Sequence, residues 1–252
     1  MKNGFRQGIK PVLACLFFVW FGSVACGQDH DTIKVSDDIS LVRISDNAWV
    51  HISYSTLPGF GSFASNGLVY ANGRKAILFD APVTEALTET LVSWLQDSMK
   101  LKIIAFVPNH WHNDCMGGLG YIQKIGIKSY SSLKTIEIAK ANNLPVPANG
   151  FSDVLTLNLG RKKIECFFPG PAHSMDNIVA WIPSEKILFA GCMVKSIDSH
   201  NLGNTSDGDL LSYPETIEKL IRRYPNAEIV IPGHGAFGGR ELLTHTLELS
   251  RK

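Results

Sequence analysis

Short apolar runs alternate with polar, glycine-bearing breaks along the chain. Ile33–Ser36, Ser40–Ile44 and Ala48–Ser53 read as short strands, separated by Ser-Asp-Asp and Ser-Asp-Asn turn signals. Leu57-Pro-Gly-Phe-Gly-Ser-Phe-Ala-Ser65 is rich in Gly and Ser and carries Phe60 and Phe63; it reads either as a flexible hairpin tip exposing an aromatic or as an ordinary hairpin with a buried Phe. A strand follows from Asn66 to Tyr70 and another from Ala76 to Phe79. Thr84 is placed to cap a helix with Leu87, Leu91, Trp94 and Leu95 on one face. Ile103–Val107 is a continuous apolar run, the pattern of a strand covered on both sides. Beyond it the pattern predicts a helix after Gly117, a strand over Lys128–Tyr130, and a helix through Ile136 and Ile138 capped by Ser131 or Ser132.

Asn142–Gly150, with two prolines, is linker-like and divides the chain into halves of about 33–145 and 150–250 within one domain. The second half repeats the theme, with strands at Val154–Leu159, Lys163–Phe168, Asn177–Ile182, Ile187–Ala190 and Glu228–Ile231. Ser212-x-x-Glu215 reads as a capping box opening a helix with Ile217, Leu220 and Ile221 inward, and Glu241–Ser250 reads as a last helix. Strands followed by helices, twice over, predict two packed sheets with helices outside.

Composition narrows the classes. The 252 residues are 45% apolar, enough for a sizeable core. The net charge is +1, and setting aside Lys2, Arg6 and Lys10 leaves 21 basic against 23 acidic residues, a net of −2. That is no footprint for nucleic acid. Residues 1–26 carry early basic residues, an apolar run from Pro11 to Phe21 and a small-residue Ser23-Val24-Ala25, the pattern of an export signal. The run is short for a membrane span, and no second long apolar stretch follows, so the expectation for 27–252 is a single exported domain without a transmembrane helix. Cys26 directly after Ala25 permits a lipidated N-terminal cysteine, although Ser23 departs from the Leu usual there; otherwise Cys26 lies near the cut. The other internal cysteines, Cys115, Cys166 and Cys192, are too few and too scattered for a disulfide framework.

The chemistry gathers at strand ends. Pro108-Asn-His110-Trp-His112-Asn-Asp114-Cys115 sets two imidazoles and a carboxylate at alternate positions just beyond the Ile103–Val107 run. Gly170-Pro-Ala-His173, Gly191-Cys192 and Gly233-His234-Gly235 each follow another strand. Six candidate ligands exceed one zinc tetrahedron; divided three and three, they leave both metals open to water. Asp80, at the end of Ala76–Phe79, is either a supporting partner for a ligand or a turn residue. His30, His51, His200 and His245 lack such settings and read as surface or packing residues. Gly59-x-Gly61-x-x-Ala64 opens onto a strand, not a helix, so it is no dinucleotide fingerprint. Ser131-x-x-Lys134 lacks the companion motifs of a serine penicillin-recognising enzyme.

His110-x-His112-x-Asp114, His173-Ser-Met-Asp176-Asn177, Gly191-Cys192-Met-Val-Lys195, Gly203-Asn204 and Gly233-His234-Gly235 together resemble the subclass B1 metallo-β-lactamases, over roughly residues 33–250. Cys115 stands where the wider superfamily has a further His, Cys192 where many members have a bridging Asp, and Ser174 where Thr is frequent. The resemblance implies an α/β fold, an αββα sandwich of two mixed sheets with outer helices and an active site at the sheet edge between the halves. It implies two Zn²⁺ ions, one held by His110, His112 and His173, the other by Asp114, Cys192 and His234. Lys195 would pair with the substrate carboxylate, Asn204 would assist at the lactam carbonyl, and Asp114 would share in catalysis. Phe60 would sit on a mobile flap, and Asp80 would support the site from below. The implied activity is hydrolysis of β-lactam antibiotics, carbapenems included, by a zinc-activated hydroxide. The implied setting is a monomer in the periplasm, free or anchored through Cys26.

Overall fold

In the computed structural model the described residues are 1, 31–57 and 61–252; the export signal, Cys26 and Phe60 lie outside them. The first sheet has eight strands in sequence order: β1 (Thr32–Lys34), β2 (Ile39–Arg43), β3 (Ala48–Leu57), β4 (Gly61–Asn72), β5 (Lys75–Phe79), β6 (Lys102–Val107), β7 (Lys128–Ser132) and β8 (Asn149–Phe151). Its strands run antiparallel as far as β5 and parallel from β5 onward. The second sheet is ordered β13-β12-β11-β10-β9, from β9 (Val154–Leu159), β10 (Lys162–Phe167), β11 (Val179–Ile182), β12 (Ile187–Gly191) and β13 (Ile229–Pro232). Only its β12–β13 pair is parallel, so both sheets are mixed.

Three apolar clusters give the layers. Leu68, Tyr70, Ile77, Phe79 and Val107 of the first sheet meet Ile164, Cys166, Ala180, Ile187 and Phe189 of the second. The opposite pleat of the first sheet, with Val69, Leu78 and Phe106, packs under α1 (Glu85–Asp97) and α3 (Leu119–Lys124). The opposite pleat of the second, with Leu188, Ala190 and Val230, packs under α5 (Tyr213–Arg223) and α6 (Glu241–Ser250). The result is the expected αββα sandwich. A bulge between Ala76 and Ile77 of β5 skips Ile104 of β6 in the pairing. That extra residue puts both Ile104 and Ala105 on the inter-sheet side and restores alternation for Phe106 and Val107.

Local signals held where the partner lies close in sequence. Thr84 caps α1 by accepting from the Leu87 amide at 3.2 Å. Ser132, not Ser131, caps α4 (Leu133–Ala141), accepting from the Thr135 amide at 3.1 Å. Three expectations need correction. Gly61–Ser65 is not a flexible tip but the first part of β4, paired with β3 as far as Leu57↔Gly61. Its hydroxyls bond across the ladder, Thr56 to Ser62 at 2.8 Å and Ser53 to Ser65 at 3.0 Å, so pairing overrides poor strand propensity. The Ser212 capping box does not form: Asp209 accepts from the Leu211 and Ser212 amides instead, at 3.0 and 3.1 Å. The linker-like stretch ends inside a strand, because β8 pairs with β7.

Candidate metal centre

The six candidate ligands converge at one end of the sandwich. His110 and His112 follow β6. Asp114 does not lie on an open loop, as the sequence suggests, but in a single helical turn, α2 (Asn113–Met116). His173 lies beyond β10, Cys192 directly after β12, and His234 just after β13. Two groups result. The donor atoms of His110, His112 and His173 lie within 4.8 Å of one another. Asp114 Oδ2 is 3.1 Å from His234 Nε2, and Cys192 Sγ is 3.4 Å from both. The groups adjoin at His110 Nε2 and Asp114 Oδ1, 4.0 Å apart.

The hydrogen bonds assign what each ring presents. His112 Nε2 lies 2.9 Å from Asp207 Oδ2, an arrangement that makes it the donor and turns Nδ1 inward. That Nδ1 is 2.9 Å from His110 Nε2, while His110 Nδ1 lies 3.3 Å from Asn109 Oδ1. His234 Nδ1 donates to the Ala64 carbonyl at 2.8 Å, leaving Nε2 for Asp114 and Cys192. Burial holds the His110 imidazole well below its ordinary pKa and brings His173 down to about 3, so both stay in the neutral form that binds metal. For Asp114 burial works the other way, but the bond from His234 and the charge of the surrounding histidines win, and the group is a carboxylate. Burial likewise opposes protonation of His234, yet the adjacent Cys192 and Asp114 raise it to about 11. The neighbouring Cys115 thiol lowers the Cys192 pKa, whereas burial raises that of Cys115. Imidazoles, a carboxylate and a readily ionised thiol form a donor set suited to zinc. The set is not sealed: the His110 side chain is fully covered, while that of His234 is 42% exposed and that of His112 19%.

Backbone-bridging side chains hold these loops. Asp80 has φ 57°, is 1% exposed, and accepts from the Asn109 amide at 2.5 Å. Its own carbonyl lies 3.2 Å from Nε2 of the buried His51, so one residue ties β3, β5 and the ligand loop together. Asn109 bonds through its amide nitrogen to the Ile178 carbonyl and, at 3.3 Å, to that of Ala190. Gly191 lies against it: a Cβ there would be 2.3 Å from Asn109 Cγ. Asn66 reaches from β4 to the Pro232 and Gly235 carbonyls at 3.0 and 2.8 Å, on either side of His234. Asn177 steadies the His173 turn, accepting from the Ser174 amide at 2.8 Å and donating to the Gly170 carbonyl at 2.9 Å. Sequence reading did not reach Asn66, Asn109 or Asp207. Their partners are 69 to 169 residues away, and nothing local marks them.

Lys195 Nζ donates to the Cys192 carbonyl at 2.7 Å and sits near Gly203. Asn204 is exposed on the following loop, its Oδ1 accepting from the Ser206 amide at 3.1 Å, so its NH₂ is free to point outward. Cys115 lies 3.2 Å from His110 Nδ1. Of the two hairpin aromatics, Phe63 meets the His234 ring edge-on at 6.0 Å.

The chain matches the family model of the metallo-β-lactamase superfamily over residues 60–234. It is 44% identical over 218 residues to a type 2 metallo-β-lactamase of Bacteroides fragilis, covering 86% of this chain and 88% of that one. A type 2 enzyme of Bacillus cereus is 36% identical over 222 residues, covering 88% and 86%. A solved metallo-β-lactamase from Pontibacter korlensis superposes with a TM-score of 0.81 at 38% identity, over 85% of this chain and 99% of that one.

Proposed function

The chain belongs to the metallo-β-lactamase superfamily, and from that premise we propose a two-zinc centre built from the two residue groups at the sheet ends. It is a subclass B1 metallo-β-lactamase, a hydrolase that opens the amide bond of β-lactam antibiotics. In the proposed assignment His110, His112 and His173 hold one Zn²⁺, and Asp114, Cys192 and His234 hold the other. Zinc in such a set supplies Lewis acidity and lowers the pKa of water to about 7, giving hydroxide at neutral pH. The observation that carries the assignment is the convergence of the His110, His112 and His173 donor atoms, all within 4.8 Å of one another, beside the Asp114–Cys192–His234 group.

The remaining residues would serve the substrate. Lys195 would exchange its bond to the Cys192 carbonyl for the substrate carboxylate. Asn204 would offer its free NH₂ to the lactam carbonyl as charge develops there. Asp114, facing both groups, would orient His234 and receive a proton near the scissile bond. Phe60 would cover bound substrate. Asp80 would brace the ligand loop through Asn109. We place the protein in the periplasm, exported by residues 1–26, as a monomer either free or anchored through Cys26, with carbapenems among its substrates. No helix among the described residues is long and apolar enough to cross a membrane.

Loss of a carbapenem's absorbance, followed with zinc-loaded protein and again after chelation, tests this reading. Turnover that disappears with chelator and returns with zinc is expected. Absence of turnover in fully loaded protein, with penicillin and cephalosporin also intact, would overturn it.

A further inference from the structure

The end of the sandwich opposite the metal-binding residues has a different character. The β4–β5 turn, the start of β6 and the β9–β10 turn all lie there, joined by the bond from the Lys102 amide to the Arg74 carbonyl and that from Asn72 to the Leu159 carbonyl. From Lys102 to Val107, β6 carries the chain about 17 Å toward the ligand loop, at about 3.3 Å per residue. Arg74, Lys75, Lys100, Lys102 and Arg161 crowd this basal end, and Lys128 lies a short way up on β7; all six are exposed. None has a carboxylate within 4.0 Å among the described residues. Most acids here are already engaged: Asp46 with Arg43, Glu185 with Lys162, and Glu228 with Lys186, leaving Asp31 and Asp97. A surplus of positive charge therefore sits at one end of a chain whose net charge beyond the leader is −2.

Between the sheets this end opens into a groove of about 660 Å³, rimmed by Lys75, Lys102 and Lys128 and walled by Ile104, Ile127 and Leu155. Cations around an apolar floor suit an anionic amphiphile, which offers phosphate to the rim and hydrocarbon to the wall. The chain also enters the fold here. Asp31 accepts from the Arg43 amide, at the same end of β1 and β2 as Arg74 and Lys102 are of β5 and β6, so the segment preceding residue 31 joins the domain at its basic end.

We propose that this basic end is a docking face for an anionic phospholipid surface. Docked this way, the protein lies with its basal turns against the headgroups and its metal-binding end turned away, open to diffusing substrate. The contact is electrostatic and weakens as salt rises.

Vesicle co-sedimentation of the zinc-loaded protein tests it, comparing phosphatidylglycerol-containing with pure phosphatidylcholine vesicles. Any N-terminal lipid contributes equally to both, so the readout is the difference between them. Wild type should prefer the anionic vesicles, the preference falling with added salt. At about fivefold per basic side chain, the K75Q/K102Q/K128Q variant should lose about a hundredfold of it. These residues touch none of the site, so β-lactam hydrolysis should be unchanged and certifies the fold. Equal binding of wild type to both vesicles overturns the proposal, as does a variant that keeps the preference. Inorganic phosphate that abolishes anionic binding, where chloride of equal ionic strength does not, also overturns it, because the groove is then a free-phosphate site.

Discussion

Gly191→Ala isolates the packing that sets Cys192 beside the other candidate ligands. Gly191 has φ 59°, and an added Cβ would lie 2.3, 2.4 and 2.5 Å from Asn109 Cγ, Oδ1 and Nδ2. Asn109 cannot easily yield, since its amide bridges the Ile178 and Ala190 carbonyls and is 2% exposed. The left-handed conformation costs Ala about 1–2 kcal/mol. Forcing a methyl into a filled interior adds about 1–3 kcal/mol. Summed over both effects, a loss of about 2–5 kcal/mol is expected. Urea unfolding of chelated protein measures the loss, and metal analysis shows whether the second ion goes with it. The double variant with Asn109→Ala should recover the packing share but not the backbone share, so the two changes should be non-additive by about 1–3 kcal/mol. A Gly191→Ala protein within about 0.5 kcal/mol of wild type, the range of neutral surface changes, would refute the reasoning. So would strict additivity with Asn109→Ala.

Burial lowers His51 to about 4 from its ordinary 6.5, so the unfolded chain takes a proton that the folded one refuses as pH falls below 6.5. Stability should therefore drop by about 3 kcal/mol on this account by pH 4. His51→Gln should flatten that slope in urea titrations, and an unchanged slope would exclude His51 as its source. Asp207→Ala frees the His112 ring and should weaken zinc binding about 10- to 100-fold by competition with a chromophoric chelator; unaltered affinity would mean the bond orients nothing. Lys195→Ala should raise KM for β-lactams with kcat little changed, and steady-state kinetics with equal KM would remove Lys195 from the site.

The six candidate ligand positions were legible because each is announced locally, by a strand that ends, a glycine, and a residue type with few other uses there. The layers were legible for a similar reason: Ile187–Ala190 and Ile103–Val107 are apolar at every position, which only strands covered on both faces tolerate. Polar residues with distant partners were not legible. Nothing beside Asn66 or Asn109 in the sequence marks a long-range role, yet both cross from the first sheet to the second. Ser212 misled because Asp209, three residues earlier, takes the amides that the capping motif would have used. Gly61–Ser65 misled because a ladder to β3 outweighs local flexibility.

Neither proposed zinc draws its ligands from one sheet. His110 and His112 leave β6 of the first, whereas His173 follows β10 of the second; Asp114 belongs with β6, whereas Cys192 and His234 follow β12 and β13. Each ion would thus act as a fastener across the seam, and a slip of one sheet against the other would undo both together. Metal loading and the correct register of the sandwich become the same event. A nascent chain whose sheets docked out of step would present two incomplete sets of donors, so zinc would serve as an inspector of the finished fold before it serves as a reagent.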